Sequence, residues 1–112
     1  MIQKLVKDQH LNYIYLKMND KITPEKLNQY FSITKEALDK VKKALDKDRL
    51  KEAEDFLDMA SRYYSDAQYF RDEKKDFVLA FAALNYAHGW LDAGARIGLF
   101  KVKDSRLFTV DE

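Results

Sequence analysis

Four polar side chains that could bind a ligand or orient one another stand at helical spacing in a segment that is otherwise almost entirely apolar. We call them the polar stripe: Asn85, His88, Asp92 and Arg96. At 100° per residue, their spacing of three, four and four residues places them within an arc of about 80° on one side of a helix. Burying such groups costs free energy unless each is hydrogen-bonded, so the stripe needs partners within the fold, in a second subunit or in a ligand.

The residue types of the polar stripe suit two different roles. In the structural interpretation, Asp92 pairs with Arg96 or His88, and the network orients neighbouring helices or a second subunit. In the ligand-binding interpretation, Arg96 binds an anionic group while Asp92 orients the imidazole of His88. Asn85 then supplies an amide that both donates and accepts hydrogen bonds. The sequence leaves both interpretations open.

Two tyrosines on the preceding helical segment are further candidates for a binding site. Tyr63 and Tyr64 lie in an aromatic stretch whose spacing is typical of a helix core. A buried tyrosine hydroxyl still requires a hydrogen-bond partner, which the polar stripe could supply. A small-ligand site would therefore combine one of these hydroxyls with the stripe.

Catalytic and metal-binding patterns are missing from the sequence. Its two histidines, His10 and His88, lack the Glu three residues earlier that carboxylate metal sites in helical bundles use. There is no cysteine, no glycine-rich phosphate loop and no nucleophile elbow around a serine. We therefore expect no metal, no cofactor and no enzymatic activity.

Three helical segments must position these residues. The first begins at Thr23 and Pro24, because Thr23 can cap free amides and Pro24 suits the first helical position, and it is expected to end near 47–48. Its apolar residues alternate at spacings of three and four, as do those of a second helix predicted over 49–73. The connection between these two helices holds no Gly or Pro and is short, which predicts antiparallel packing.

The third predicted helix, over 75–97, is apolar nearly all round, which is typical of a buried helix or of one that also forms a partner interface. Gly98 follows it as a left-handed C-cap. Gly89 and Gly94 each cost about 1 kcal/mol relative to Ala, which favours close approach by another helix or, in the alternative, room for a ligand. Two neighbouring helices cannot cover all of this apolar surface, so we expect the protein to self-associate. The alternative is that residues 1–22 or the C-terminal tail cover it.

These segments predict an all-α fold, an up-and-down antiparallel bundle of three long helices. Residues 1–22 fit no clean period and are expected to form an N-terminal appendage to a bundle domain over 23–112. The apolar pairs at 99–100 and 107–108 predict a C-terminal tail that is laid back over the bundle.

Composition limits the partners and the compartment. A chain of 112 residues corresponds to one domain, and 20 Lys and Arg against 19 Asp and Glu leave a net charge of +1, which disfavours a nucleic-acid partner. No apolar run reaches the roughly 18 residues needed to span a bilayer. The absence of cysteine favours a reducing compartment. We therefore expect a cytoplasmic protein with no membrane partner.

One long string of residues resembles a known family. The run from Ala80 to Phe100, AFAALNYAHGWLDAGARIGLF, together with YSDA at 64–67, is similar to the archaeal domain-of-unknown-function family 357. The resemblance extends over residues 30–110, from a Tyr-x-x-x-Thr-x-x-Ala-Leu pattern that starts at Tyr30 to the LFTV that ends at Val110. It implies a small up-and-down helical bundle and no known activity.

These features favour a non-enzymatic interaction or accessory module that forms a homo-oligomer or binds a partner protein. The alternative is a small-ligand or nucleotide-binding protein that uses the polar stripe. The surroundings of the stripe distinguish the two, since a structural stripe is hydrogen-bonded within the fold and a ligand site opens into a cavity.

Overall fold

The computed structural model describes residues 19–110. In that range the chain forms three α-helices: α1 (Pro24–Lys42), α2 (Leu50–Asp72) and α3 (Phe77–Arg96). Apart from one isolated antiparallel bridge, residues 19–110 contain no strand. The predicted all-α fold with three long helices is therefore confirmed. Most of the predicted appendage, 1–22, lies outside the described residues.

Local capping explains where α1 and α3 begin. The Thr23 hydroxyl accepts a hydrogen bond from the Lys26 amide at 3.1 Å, and Pro24 occupies the first turn as predicted. At α3 the cap is the carboxylate of Asp76, which accepts from the Leu79 amide at 3.0 Å. The start predicted at 75 was two residues early, because Lys75 has a φ of 53° and cannot belong to a right-handed helix.

The first helix ends at Lys42, about five residues before the predicted end near 47–48. Beyond it the backbone pairs with the chain that follows α3: the Asp46 amide donates to the Leu99 carbonyl at 2.8 Å. The Lys101 amide donates to the Ala44 carbonyl at 2.7 Å, and Leu45 forms the antiparallel bridge with Phe100. These backbone bonds replace the helical ones that a longer α1 would make.

Small residues line the contact between α2 and α3, which is the most extensive helix pair of the bundle. At intervals of seven residues α2 presents three alanines without exposed surface, and α3 presents two more: Ala53, Ala60, Ala67, Ala80 and Ala87. Side chains of this size allow two helix backbones to approach closely along one line. Larger side chains then fill the space beside α1, where Leu27, Leu84 and Leu91 are fully buried.

The tail after α3 folds back over one end of the bundle, as predicted. Gly98 has a φ of 79°, so it ends α3 in the left-handed conformation that glycine adopts without strain. Four apolar tail residues are no more than 2% exposed: Leu99, Phe100, Leu107 and Phe108. The tail is therefore part of the hydrophobic core.

One side of α3 faces water. We call it the outer face, and its residues are all exposed: Val78, Leu79, Ala82, Tyr86, Gly89, Ala93 and Ile97. Its four large side chains are between 46% and 69% exposed. Thus α3 is buried on the side that packs against α1 and α2, and open on the other. None of the helices in 19–110 is both long and apolar enough to cross a membrane.

Candidate functional site

His88 joins three parts of the fold through its two ring nitrogens. Its Nε2 lies 2.6 Å from the Leu107 carbonyl oxygen of the tail, and its Nδ1 lies 2.9 Å from the Thr34 hydroxyl oxygen of α1. A carbonyl can only accept, so the network assigns the proton to Nε2, and Nδ1 of the neutral ring accepts from Thr34. Thr34 is 2% exposed, which makes this bond one that water cannot easily replace. His88 thereby holds the tail and α1 against α3.

Asp92 holds the next residues of the tail. Its carboxylate accepts from the Thr109 amide at 2.9 Å and from the Thr109 hydroxyl at 3.3 Å. Of the two partners expected for Asp92, Arg96 lies exposed at the last turn of α3 and forms no ion pair with Asp92 in the described part of the chain. His88 is the nearer cationic group, with Nε2 at 4.0 Å from the carboxylate, and that contact is an ion pair only when the imidazole is protonated.

The polar stripe is divided between two concavities. Near the tail, a concavity of about 460 Å³ is lined by tail residues 105–110 and by three residues of the polar stripe, which are His88, Asp92 and Arg96. Beside α1, a second one of about 250 Å³ is lined by Asn85, His88 and Asp92, with Tyr30 and Ile33 opposite. Asn85 and Arg96 are both exposed, so the two ends of the stripe meet solvent while its centre is engaged by the tail.

The two candidate tyrosines lie away from both concavities. The ring of Tyr63 packs edge to face on Tyr86, with centroids 4.4 Å apart. Tyr64 packs in the same manner on Phe31 at 5.6 Å, and burial raises the pKa of its phenol. The fold therefore does not bring either hydroxyl to the polar stripe.

A third concavity, of about 490 Å³, lies between α1 and α2 and contains Tyr64, Lys35 and Arg71. Both cations there are already paired. Lys35 donates to Asp39 at 2.8 Å, and this hydrogen bond holds the pKa of the Asp39 carboxyl below its ordinary value. Arg71 binds Asp72 and stacks over the Phe31 ring at 4.0 Å from its centroid. Because each charge has a neutralising neighbour, this concavity has little attraction for an anion.

Neither metal chemistry nor an unpaired buried group marks a site. Within 19–110, no group of three or more His, Asp or Glu side chains is arranged to hold a metal ion. Every buried side-chain nitrogen or oxygen in that range has a hydrogen-bond partner. Among the polar groups of α3, His88 and Asp92 are hydrogen-bonded to the tail.

The two glycines of α3 have different surroundings. A Cβ on Gly94 would stand no more than 2.8 Å from three ring atoms of Phe100, whereas a Cβ on Gly89 would meet nothing within 4 Å. Within 19–110, no other helix approaches either glycine closely: a tail side chain covers Gly94, and no described residue covers Gly89. Gly89 instead forms part of two concavities, the one beside α1 and an apolar one of about 330 Å³ beside Trp90.

The sequence predicted that α3 has more apolar surface than the bundle can bury, but the regular spacing of the exposed residues on its outer face was missed. The signal that could have revealed it is a second row of residues at spacings of three and four, on the side of α3 opposite the buried residues: Leu79, Ala82, Tyr86, Gly89 and Ala93. A helix with two such rows can pack in two directions at once.

Comparison with known proteins gives a family and no activity. No curated protein and no solved structure matches the chain. The model of a family described as a protein of unknown function, DUF357, matches residues 29–100, which run from the first turns of α1 to the start of the tail. This match covers well over half of the sequence and includes the polar stripe and the outer face. The chain therefore belongs to DUF357.

Proposed function

We propose that this domain is a non-enzymatic interaction module that self-associates through the outer face of α3. The observation that carries the proposal is a set of six large apolar side chains, each at least 38% exposed, on α1 and on or just beyond α3: Tyr30, Ile33, Val78, Leu79, Tyr86 and Ile97. Leaving these groups in water forgoes the free energy that their burial would contribute.

The size of this surface suits a protein partner. With about 150–250 Å² for a large side chain, the six residues leave roughly 500–600 Å² of apolar surface in water. Patches of that size on a monomer are often interaction sites, and each partner in a stable interface contributes about 800 Å². The exposed alanines and Gly89 between the large side chains add to the area.

The hydrogen bonds of the polar stripe support a structural role for its centre. His88 is hydrogen-bonded to Leu107 of the tail and Asp92 to Thr109, so hydrogen-bonding atoms of both side chains are already engaged within the protein. A fixed tail keeps α3 in place while its outer face meets a partner.

The absence of cysteine suits a reducing compartment, and we propose that the module is cytoplasmic.

Sedimentation equilibrium of the full chain tests this proposal with a matched pair of variants. Tyr86, on the outer face, is 51% exposed, and Tyr69 of α2 is 48% exposed. Tyr69 lies about 120° round α2 from Tyr63, the residue that touches Tyr86. We expect the parent and Tyr69→Glu to associate at tens of micromolar and Tyr86→Glu to sediment as a monomer, because a buried unpaired carboxylate is costly. A parent that is monomeric at that concentration contradicts the proposal.

Small-anion or nucleotide binding is the second candidate, and it is favoured by one observation. Arg96 lines the same 460 Å³ concavity as His88 and Asp92, and the volume falls within the roughly 300–1,000 Å³ of ligand pockets. Arg106 lines it too but is already paired with Glu36 and Asp104. A thermal-shift screen with nucleotides tests it against Arg96→Ala. Stabilisation of the parent that disappears in this variant would favour ligand binding, and no shift in either protein would favour the interaction module.

A further inference from the structure

We infer that the occupant of the outer face is a second copy of the same chain, docked antiparallel so that the two α3 helices cross at a two-fold axis midway between positions 87 and 88. The inference rests on the proposed self-association and adds its geometry. In this arrangement Tyr86 of each copy fills the hollow above the partner's Gly89.

The outer row of α3 has the spacing of a helix-packing seam. Six exposed residues follow one another at three, four, three, four and three: Leu79, Ala82, Tyr86, Gly89, Ala93 and Arg96. The buried row, which contains Ala80, Leu84, Ala87 and Leu91, runs along the opposite side and is occupied by the bundle. A seam with this repeat on the free side is suited to packing against another helix.

The sizes of the seam residues are complementary when the seam is reversed. A two-fold axis midway between 87 and 88 places Tyr86 against the partner's Gly89, the largest side chain of the seam against the smallest. It places Ala82 against the partner's Ala93, so that the backbones approach closely on either side of the centre. At each end, Leu79 meets the alkyl stem of the partner's Arg96, whose guanidinium stays in water.

Gly89 provides the hollow that this packing requires. A Cβ there would meet nothing within 4 Å, and concavities of about 330 Å³ and 250 Å³ lie on its two sides. A glycine in a helix interior costs about 1 kcal/mol relative to Ala, and no neighbour in 19–110 explains that cost. The half-exposed ring of the partner's Tyr86 is the one large side chain that the two-fold axis brings over it.

Other alignments use the seam less well. A parallel pair would set Tyr86 against the partner's Tyr86 and leave the hollow at Gly89 empty. An antiparallel pair displaced by one turn would leave residues at the ends of the seam without a counterpart. The proposed register engages all six seam positions on both copies, and so removes from water the exposed side chains of Leu79 and Tyr86 together with the small residues between them.

Cysteine cross-linking distinguishes the geometry from the proposed function, because the chain has no native cysteine. A disulfide requires Cα atoms about 4.4–6.8 Å apart. We expect an equimolar mixture of Ala82→Cys and Ala93→Cys to form the cross-linked heterodimer, and each variant alone to remain uncross-linked, since like positions stand about 16 Å apart along the axis.

Each other outcome of the cross-linking is informative. Efficient cross-linking of Ala82→Cys with itself would indicate a parallel pair and would overturn the register while leaving self-association intact. A parent that sediments as a dimer but whose mixture gives no cross-link would likewise overturn the register alone. A monomeric parent would overturn both the register and the proposed function.

Exchange of the two central residues provides an independent test by sedimentation. We expect Tyr86→Ala and Gly89→Leu each to weaken association about 30-fold or more, because the first removes the central contact and the second blocks the hollow. The double variant again pairs a large side chain with a small one, so it should associate at least tenfold more tightly than either single variant. A double variant no tighter than the weaker single one would exclude the contact between Tyr86 and the partner's Gly89.

Discussion

Gly89 and Gly94 lie on the same helix, five residues apart, and have opposite surroundings. Gly94 is buried under the ring of Phe100, which itself is 1% exposed, whereas Gly89 is exposed between two shallow concavities. Both residues reduce the intrinsic stability of α3 by about 1 kcal/mol relative to Ala. At Gly94 the tail offsets that cost within the chain. At Gly89 no described residue supplies packing that offsets the cost, and we therefore assign that packing to a second copy of the chain.

This contrast shows that one side of a helix can be covered by the rest of the chain while the other side stays exposed. Leu107 and Phe108 of the tail continue the packing that Phe100 begins, and His88 and Asp92 hold them by hydrogen bonds to the tail. The outer face has no such covering segment in 19–110. The difference lies in where the chain runs after α3 and is not visible in the glycines themselves.

The largest expected effect is that of Gly94→Ala on the inner side. The new Cβ would overlap three ring atoms of the buried Phe100, and overpacking of this kind costs about 3 kcal/mol, of which the better helix propensity returns about 1 kcal/mol. We expect a net loss of about 2 kcal/mol in the free energy of unfolding, measured by urea denaturation. Adding Phe100→Leu should make the cost of Gly94→Ala smaller than in the parent. If Gly94→Ala were neutral, the tail would not be packed on α3 as described.

Asp92→Ala is expected to destabilise by about 1.5 kcal/mol, through loss of charge-assisted hydrogen bonds to Thr109. A buried ion pair with Arg96 or His88, as expected from the sequence, would imply about 3–5 kcal/mol, but the Asp92 side chain is 32% exposed and binds the tail. Hydrogen exchange should show faster exchange of the Thr109 amide and little change in the middle of α2. An unchanged Thr109 amide would contradict this role.

Gly89→Ala should have the opposite sign. Since its Cβ meets nothing within 4 Å, the substitution should raise the free energy of unfolding by about 1 kcal/mol. The measurement needs a protein concentration at which parent and variant are both monomeric, because association adds its own stabilisation. At higher concentration the same variant should associate more weakly than the parent. A variant less stable as a monomer would mean that Gly89 is covered within the chain.

The smallest effect concerns pH and the attachment of the tail to α1. A hydrogen bond from Lys40 to the Asp104 carboxylate, at 2.8 Å, holds the pKa of Asp104 below its ordinary value. Since the folded pKa is the lower one, this contribution to stability is fully present above the ordinary value and is lost as pH falls through the folded value. Asp104→Asn should lower the melting temperature slightly at neutral pH. The difference in melting temperature between this variant and the parent should become smaller as the pH is lowered. Lys40 is exposed and Asp104 is only partly buried, so the difference is small.

Local chemistry in the sequence predicts that three helices form, and it predicts some of their ends. Thr23 and Pro24 specify the start of α1, Gly98 specifies the end of α3, and the apolar spacing of three and four specifies the buried sides of α1 and α2. These predictions are confirmed because caps and periodicity act within a few residues of one another. The early end of α1 was not predictable, since the bonds that replace its last turn come from Leu99 and Lys101, more than fifty residues along the chain.

The sequence by itself determined that α3 carries a polar stripe, two glycines and more apolar surface than one side of a helix can bury. Only the tertiary structure decided their partners: His88 binds Thr34 and Leu107, Asp92 binds Thr109, and the ring of Phe100 covers Gly94. The physical reason is the path of the tail. Its carbonyl and amide groups must be hydrogen-bonded and its apolar side chains buried, and the inner side of α3 is where both needs are met, which leaves Gly89 and the outer face open.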